Sequence, residues 1–350
     1  MENKTYHEIH GQYSALKMTL ERCDEKYGEF EAFFRETDAD NIVVIGCGSS
    51  YQLSCAVASN AHLFSGLPSM SIAGGDLMIH IDNYDDVFSK KTLLITLSRS
   101  GSTHEILYAV KKIREKYPLV KILSFVCAEN SNIAAISDKT LEMPWAFDES
   151  VCQTRSVTNI FAGALYILAK VFGRILIAEN IAFLALNGDA FLEQIEPQIK
   201  QLAGVPWENA MVLCDGESFG VAEEAALAFN EIAYTPSGCK HVLDVRHGPI
   251  VLIGEHSLVV ANLTRDGFDY EKPLINDLLN KKSTVVVISD EELPALPGVC
   301  AQFTFGKKLH SSVSAMLLLP AAQLLSYYKA LALGVNPDSP EGLDAWIALK

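Results

Sequence analysis

Short apolar runs bounded by Gly, Asp or Ser alternate along this chain with longer stretches of helical period. Residues 41–47 (NIVVIGC) read as a strand rich in β-branched residues, followed by a Gly-Ser turn and a helix through about Phe64. Strands are expected again at 68–73, 92–98 (TLLITLS), 121–127 (KILSFVC) and 139–143, with helices near 103–117 and 155–173. The pattern then restarts. Strands are expected at 209–215, 257–263 and 284–289, with helices near 219–233, 271–280 and 311–333. The run Ile250-Val251-Leu252-Ile253 also reads as strand-like. Strands alternating with helices in this way indicate parallel sheets covered on both faces.

Two local echoes suggest a duplication. GCGSSY at 46–51 resembles LCDGESF at 213–219, and TLSRSG at 96–101 resembles NLTRDG at 262–267. Gly48 to Ser98 spans 50 positions, and Gly216 to Thr264 spans 48. The expected fold is α/β, with two tandem doubly wound domains, each a mostly parallel five-stranded sheet flanked by helices. The boundaries expected are a helical segment at 1–30, a first domain at 31–175, a helical linker at 176–203, a second domain at 204–335 and a tail at 336–350.

Composition narrows the function. Hydrophobic residues make up 49% and charged residues 20%, enough apolar material for a sizeable core. Lys and Arg number 28 against 43 Asp and Glu, a formal net charge of −15, which disfavours nucleic acid and anionic membranes as partners. The polar N-terminus lacks a signal-peptide core, and the apolar stretch from Ala315 to Gly334, broken by Pro320, Gln323, Ser326 and Lys329, reads as a buried helix. Eight cysteines are scattered singly with no CxxC pair, as expected of reduced thiols in a cytoplasmic protein. No cluster has metal-ligand spacing, so neither a metal nor another cofactor is expected.

The chemistry suggested by the residues starts at two turns of the first half. Gly46-Cys47-Gly48-Ser49-Ser50 and Ser98-Arg99-Ser100-Gly101-Ser102-Thr103 each follow a strand and open a helix. Each offers hydroxyls, a flexible backbone and free N–H groups at a helix N-terminus, a combination that binds phosphate. Ordinary helix capping explains one such turn; two on neighbouring strands favour a phosphate cradle. The P-loop lysine and a GxGxxG pattern are both absent, which disfavours nucleotide hydrolysis and dinucleotide binding. In the second half Asp215, Glu217 and Asp266 put carboxylates into the equivalent turns, so one anion site per chain is expected. Glu231, on the apolar helix AEEAALAFNEIAY, and His247, in Val-Arg-His-Gly-Pro, are candidate proton carriers, although a satisfied helix carboxylate and a hydrogen-bonded turn histidine are the plainer readings.

Taken together these motifs resemble the tandem SIS (sugar isomerase) family, above all the isomerase domain of glucosamine-6-phosphate synthase and the fructosamine-6-phosphate deglycases. The family's C-G-[ST]-S and S-x-S-G-x-T turns are both present, at Cys47–Ser50 and Ser98–Thr103. Its V-A-[SA]-T-K segment is similar to Val151-Cys152-Gln153-Thr154-Arg155. Its [EK]-H-G-P element is similar to Arg246-His247-Gly248-Pro249, sixteen residues after the glutamate of Asn230-Glu231-Ile232, and a D-x-P-x-x-L tail begins at Asp338. The resemblance implies that Gly48, Ser49, Ser50, Ser98, Arg99, Ser100, Thr103, Val151 and Gln153 line a phosphosugar site. It implies that Glu231 shuttles a proton between C1 and C2, that His247 assists ring opening from a neighbouring subunit of a homodimer or larger homo-oligomer, and that the C-terminal tail reaches the site.

The departures are informative. No glutaminase segment lies in these residues, so ammonia production from glutamine is not expected. The synthase's Schiff-base lysine would fall near Ala345, with only Lys350, out of register, at hand. An enzyme whose substrate already carries an amine at C1 has no need of that lysine. The resemblance therefore implies a deglycase acting on a phosphorylated sugar-amine, with an amino-sugar-phosphate isomerase or deaminase, or a non-catalytic phosphosugar sensor, as the alternatives.

Overall fold

A computed structural model describes residues 3–345 and 349. The chain divides into two compact units, and they do not follow one another along the sequence. One comprises Gly11–Glu149, Gln153–Leu186 and residues 344–345; the other comprises 3–10, Ser150–Cys152 and Asn187–Leu343.

In chain order the elements begin with α1 (Lys4–His10), which belongs to the second unit, and α2 (Gln12–Thr37) of the first. The first unit continues with β1 (Asn41–Gly46), α3 (Ser49–Ser65), β2 (Ser69–Ala73), α4 (Gly74–His80), α5 (Asp85–Phe88), β3 (Thr92–Ser98), α6 (His104–Lys116), β4 (Lys121–Val126), β5 (Lys139–Glu142) and α7 (Arg155–Val171). The boundary between the units falls inside α8 (Ile175–Ala203). The second unit then runs through β6 (Asn209–Leu213), α9 (Phe219–Ala233), β7 (Ser237–Lys240), β8 (Ser257–Asn262), α10 (Phe268–Asn280), β9 (Thr284–Ser289), β10 (Ala301–Thr304), α11 (Ser311–Ser314) and α12 (Leu318–Leu333).

Both sheets are five-stranded with every pair parallel, in the orders β2-β1-β3-β4-β5 and β7-β6-β8-β9-β10. Each chain order therefore reverses at the same place, between β1 and β3 in one sheet and between β6 and β8 in the other. In open α/β sheets ligands collect at that switch point, beyond the carboxyl ends of the strands.

The central strands β1, β3, β8 and β9 are buried at every position, because helices cover both sheet faces. Val43, Ile45 and Leu94 pack with Leu77 of α4 and Ile106, Val110 and Ile113 of α6, while α3 and α7 lie against β1 and β4. In the second unit Leu213, Val259 and Val285 pack with Leu274, Ile275 and Leu278 of α10, while α9 and α12 pack together on the other elements. Each such aliphatic side chain contributes about 1.5–3 kcal/mol on full burial.

Two sequence expectations are corrected. The run Ile250-Val251-Leu252-Ile253 is no strand: Pro249 opens a single 3₁₀ turn, Pro249–Leu252, and Val251 and Leu252 are 77% and 71% exposed. Proline's fixed φ and missing N–H suit the first position of such a turn and not a sheet ladder. The helix expected at 271–280 starts three residues earlier, at Phe268. Among the described residues, two helical stretches could cross a membrane by length and composition, Ile175–Ala203 and Ser311–Leu333. Within the structure 50% and 78% of their most apolar windows are buried.

Candidate functional site

The two serine-rich turns leave adjacent strands of the first sheet. β1 and β3 run in parallel register, Ile45 opposite Thr96, so Gly46–Ser50 and Ser98–Thr103 emerge side by side at the switch point. Gly48 adopts φ +55°, ψ −129°, a conformation that L side chains rarely adopt, and delivers Ser49 and Ser50 into the first turn of α3. Gly101, at φ +59°, is enclosed as well: a Cβ there would lie 2.4 Å from the Ser131 Oγ. The turn is held from behind, where Cys127 N donates to Arg99 O (3.1 Å) and Ile133 N to Gly101 O (2.9 Å).

Within the second turn Ser98 Oγ accepts from Gly101 N (2.9 Å) and Ser100 Oγ from Ser102 N (3.2 Å). Neither Gly48 nor Thr103, the residues preceding α3 and α6, makes a side-chain cap. Capping therefore does not account for Thr103. The helices that open here, of 17 and 13 residues, each place about half a positive charge at their N-termini. Hydroxyls and helix N-termini meeting at a switch point can hold a phosphate. Cys47, in the first turn, is no nucleophile near neutrality: burial, reinforced by Glu105, pushes its thiol up to about 11 against the N–H groups of Gly74 and Gly75.

Arg99 does not project into solvent. It is 3% exposed, its Nη2 donates to Ala345 O (2.7 Å), and its guanidinium lies 5.8 Å from the centre of the Phe147 ring. Nearby, Asp148 accepts the N–H groups of Thr154 (2.9 Å), Arg155 (3.0 Å) and Ser156 (3.0 Å), fixing the start of α7. Arg155 donates to Phe147 O, and Gln153 accepts from Ser156 Oγ (3.2 Å). Gln153 thus belongs with the serine turns in the first unit, whereas Val151 belongs to the second.

In the second unit Val151 N donates to Asp338 O (3.0 Å), and Cys152 packs with Ala228, Ile232 and Ala233 of α9, the helix that carries Glu231. Glu231 is half-buried near the end of that helix. Asp338 holds the start of α1 through Thr5 N (2.9 Å) and Thr5 Oγ1 (2.9 Å), which gives the D-x-P tail a structural task. His247 is exposed between the 3₁₀ turns Asp244–Arg246 and Pro249–Leu252, its N–H donating to Asp244 O (2.9 Å). Arg246 pairs with Asp277 (2.6 Å).

The second sheet's switch point carries carboxylates already in use. Asp215 accepts from His241 Nδ1 (2.9 Å) and Val242 N (3.2 Å), and Asp266 pairs with Lys308 (3.0 Å). Glu217 accepts from Ser311 Oγ (2.7 Å) and Ser312 Oγ (2.6 Å), and these hydroxyls outweigh burial to hold its carboxyl below the usual range. Glu271, which the sequence reading did not single out, accepts from Thr264 N (3.1 Å); burial pushes its carboxyl up to about 7 despite that bond. Among the described residues no group of three or more His, Cys, Asp or Glu could hold a metal ion. The C-terminal residues 346–348 and 350, including Lys350, lie outside the described residues.

Residues 37–169 match the sequence model of the SIS domain. The glutamine–fructose-6-phosphate aminotransferase (isomerizing) of Sulfurisphaera tokodaii is 27% identical over 353 aligned positions, 98% of this chain and 56% of that protein. The chain thus spans about half the length of the curated relatives it matches. A glucosamine-6-phosphate deaminase from Thermotoga maritima has the same fold, with a TM-score of 0.82 at 24% identity over 99% of this chain and 100% of that one. The tagatose-6-phosphate ketose/aldose isomerase of Escherichia coli gives 0.87 at 21% identity, over 99% and 96%.

Proposed function

We propose that this chain, whose residues 37–169 match the SIS domain model, is a phosphosugar-processing enzyme, a fructosamine-6-phosphate deglycase. The observation that carries the phosphosugar reading is the pair of hydroxyl-bearing turns, after β1 and β3, at one switch point and at the N-termini of α3 and α6. Ser50, Ser98, Ser100 and Thr103 hold the phosphate, with Gly48 and Ser49 supplying backbone. Val151 and Gln153 line the sugar.

His247, from the partner of a homodimer, assists opening of the sugar ring. Glu231 then takes a proton from C1 of the open-chain ketose-amine, and the electron pair moves through C1–C2 onto the C2 oxygen. The C2 oxygen takes up a proton from water; return of the Glu231 proton to C2, with the nitrogen electron pair closing C1=N and the N–H proton passing to water, leaves an imine between C1 and the amine nitrogen. Water adds at C1 and the C–N bond breaks, releasing an aldose 6-phosphate and the free amine. Proton transfer by a positioned carboxylate contributes about 10²–10⁴-fold to such a rate. Ala345 stands about where the related synthase has its amine-capturing lysine, consistent with a substrate that brings its own amine. A reducing cytoplasm suits the eight free thiols.

The test is release of glucose 6-phosphate from a panel of fructosamine 6-phosphates, with Glu231→Gln as control. The unaltered chain should release it and the variant should be slowed at least a hundredfold. No release from any member, with phosphosugars still raising Tm, would replace this reading with an amino-sugar-phosphate isomerase or deaminase, or with a sensor.

A further inference from the structure

Ser150–Cys152 belong to the second unit although the chain on either side of them belongs to the first, so other elements of that unit set their place. Cys152 packs against α9, and Val151 N donates to Asp338 O (3.0 Å). The third anchor is Glu8 of α1, whose carboxylate accepts both Ser150 N (3.1 Å) and Ser150 Oγ. Glu8, Ser150 and Cys152 are 4%, 1% and 2% exposed, and of the three segment residues Val151 alone is half-buried. Burying a carboxylate is costly unless hydrogen bonds replace its water, so a buried glutamate bonded to the main chain and hydroxyl of one residue holds that residue closely. At seven residues α1 is too short to persist alone, and it is docked in turn. Asp338 accepts from Lys4 N (3.1 Å) and Thr5 N (2.9 Å), Thr5 Oγ1 donates to Pro337 O (3.0 Å), and His10 Nε2 lies 3.0 Å from Glu196 Oε2.

We propose that Glu8 is a positioning residue for the sugar-lining segment, which makes α1 a brace that sets where Val151 is presented. This role rests on the reading of Val151 as a residue that lines the sugar. Hydrogen bonds to an ionised acceptor are roughly twice as strong as neutral ones, and Glu8 makes two of them to the residue before Val151. Asp338 ties the same two pieces a second time, its carboxylate holding the start of α1 and its carbonyl holding Val151 N. Without Glu8 the segment keeps Asp338 and α9, so it shifts and does not unfold. A shift of that kind acts on the sugar end of a ligand and leaves the serine turns, which belong to the first unit, as they are.

The test is calorimetric titration with glucose 6-phosphate and, as a probe of the phosphate turns alone, with inorganic phosphate. In Glu8→Ala the glucose 6-phosphate affinity should fall about tenfold while the phosphate affinity holds within about twofold. Glu8→Gln keeps one acceptor and the side chain's shape, and should recover part of that loss, to about threefold. Tyr328→Phe, which removes a bond to Glu196 (2.6 Å) in the same unit without touching Ser150, should change neither affinity and controls for a general loss of stability. Equal losses for the two probes, or an unchanged glucose 6-phosphate affinity, would overturn the brace; if Glu8→Ala does not fold, the same comparison is read on Glu8→Gln. Val151→Trp separates this role from the reading beneath it. An unchanged glucose 6-phosphate affinity in that variant would remove Val151 from the sugar site and the brace with it. A loss there, with none in the Glu8 variants, would overturn the brace alone.

Discussion

The two sheets share one strand order and one turn geometry, yet their switch points differ in what fills them. In the first unit Gly101 is enclosed by Ser131 and the neighbouring positions are serine and threonine hydroxyls at helix N-termini. In the second, a Cβ on Gly267 would meet the Glu271 Oε1 at 2.6 Å, and Glu217 accepts from two further serines. A carboxylate is itself an anion able to use hydroxyls and helix N–H groups, so the second unit satisfies internally the donors that the first leaves available. On the proposed function, one scaffold used twice thereby yields one open anion site and one closed by its own side chains.

The largest effect that would break this contrast is expected at Gly101. Gly101→Ala puts a methyl group 2.4 Å from the Ser131 Oγ on a residue at φ +59°, so the turn must move. Glucose 6-phosphate affinity should fall at least a hundredfold, with a loss of about 1–3 kcal/mol in stability. Gly267→Ala meets the Glu271 carboxylate at 2.6 Å and Thr264 Oγ1 at 2.8 Å, both in the second unit, and should leave that affinity unchanged; calorimetry on the two variants makes the comparison.

A smaller effect follows from Glu271. Its carboxyl rises from 4.5 to about 7, chiefly through burial, so the folded chain holds a proton that the unfolded chain has released. That contribution to stability is complete below pH 4.5 and is lost as pH rises through about 7. Glu271→Gln should therefore gain up to about 2 kcal/mol on the parent at pH 8 and nothing at pH 4, read from urea unfolding at both values. Smallest is Glu217→Gln, which keeps one acceptor for Ser311 and Ser312 but loses its charge; about 1 kcal/mol of destabilisation is expected in the same assay, with phosphosugar affinity unchanged.

How much of this was legible in the sequence depended on burial. Strands β1, β3, β4, β6, β8 and β9 are apolar nearly throughout because they are covered on both faces, and such runs are readable. β7 (Ser-Gly-Cys-Lys) and β10 (Ala-Gln-Phe-Thr) are four-residue edge strands with polar positions, too short and too mixed to leave a period. The apolar run after Pro249 misled in the opposite direction, since Val251 and Leu252 are exposed. The serine turns were legible because hydroxyls and glycines at a strand–helix junction form a local pattern. The self-closure by Glu271 and the grip of Arg99 on Ala345 were not, because each depends on where a distant or helical residue folds back, which no local spacing encodes.

The central claim is a phosphosugar site in the first unit and none in the second. Equilibrium dialysis with labelled glucose 6-phosphate, counting ligand bound per chain, tests it most directly. One equivalent should bind to the unaltered chain and to Glu271→Gln, and none to Ser98→Ala. Two equivalents per chain, or one that survives Ser98→Ala and disappears in Glu271→Gln, would contradict it.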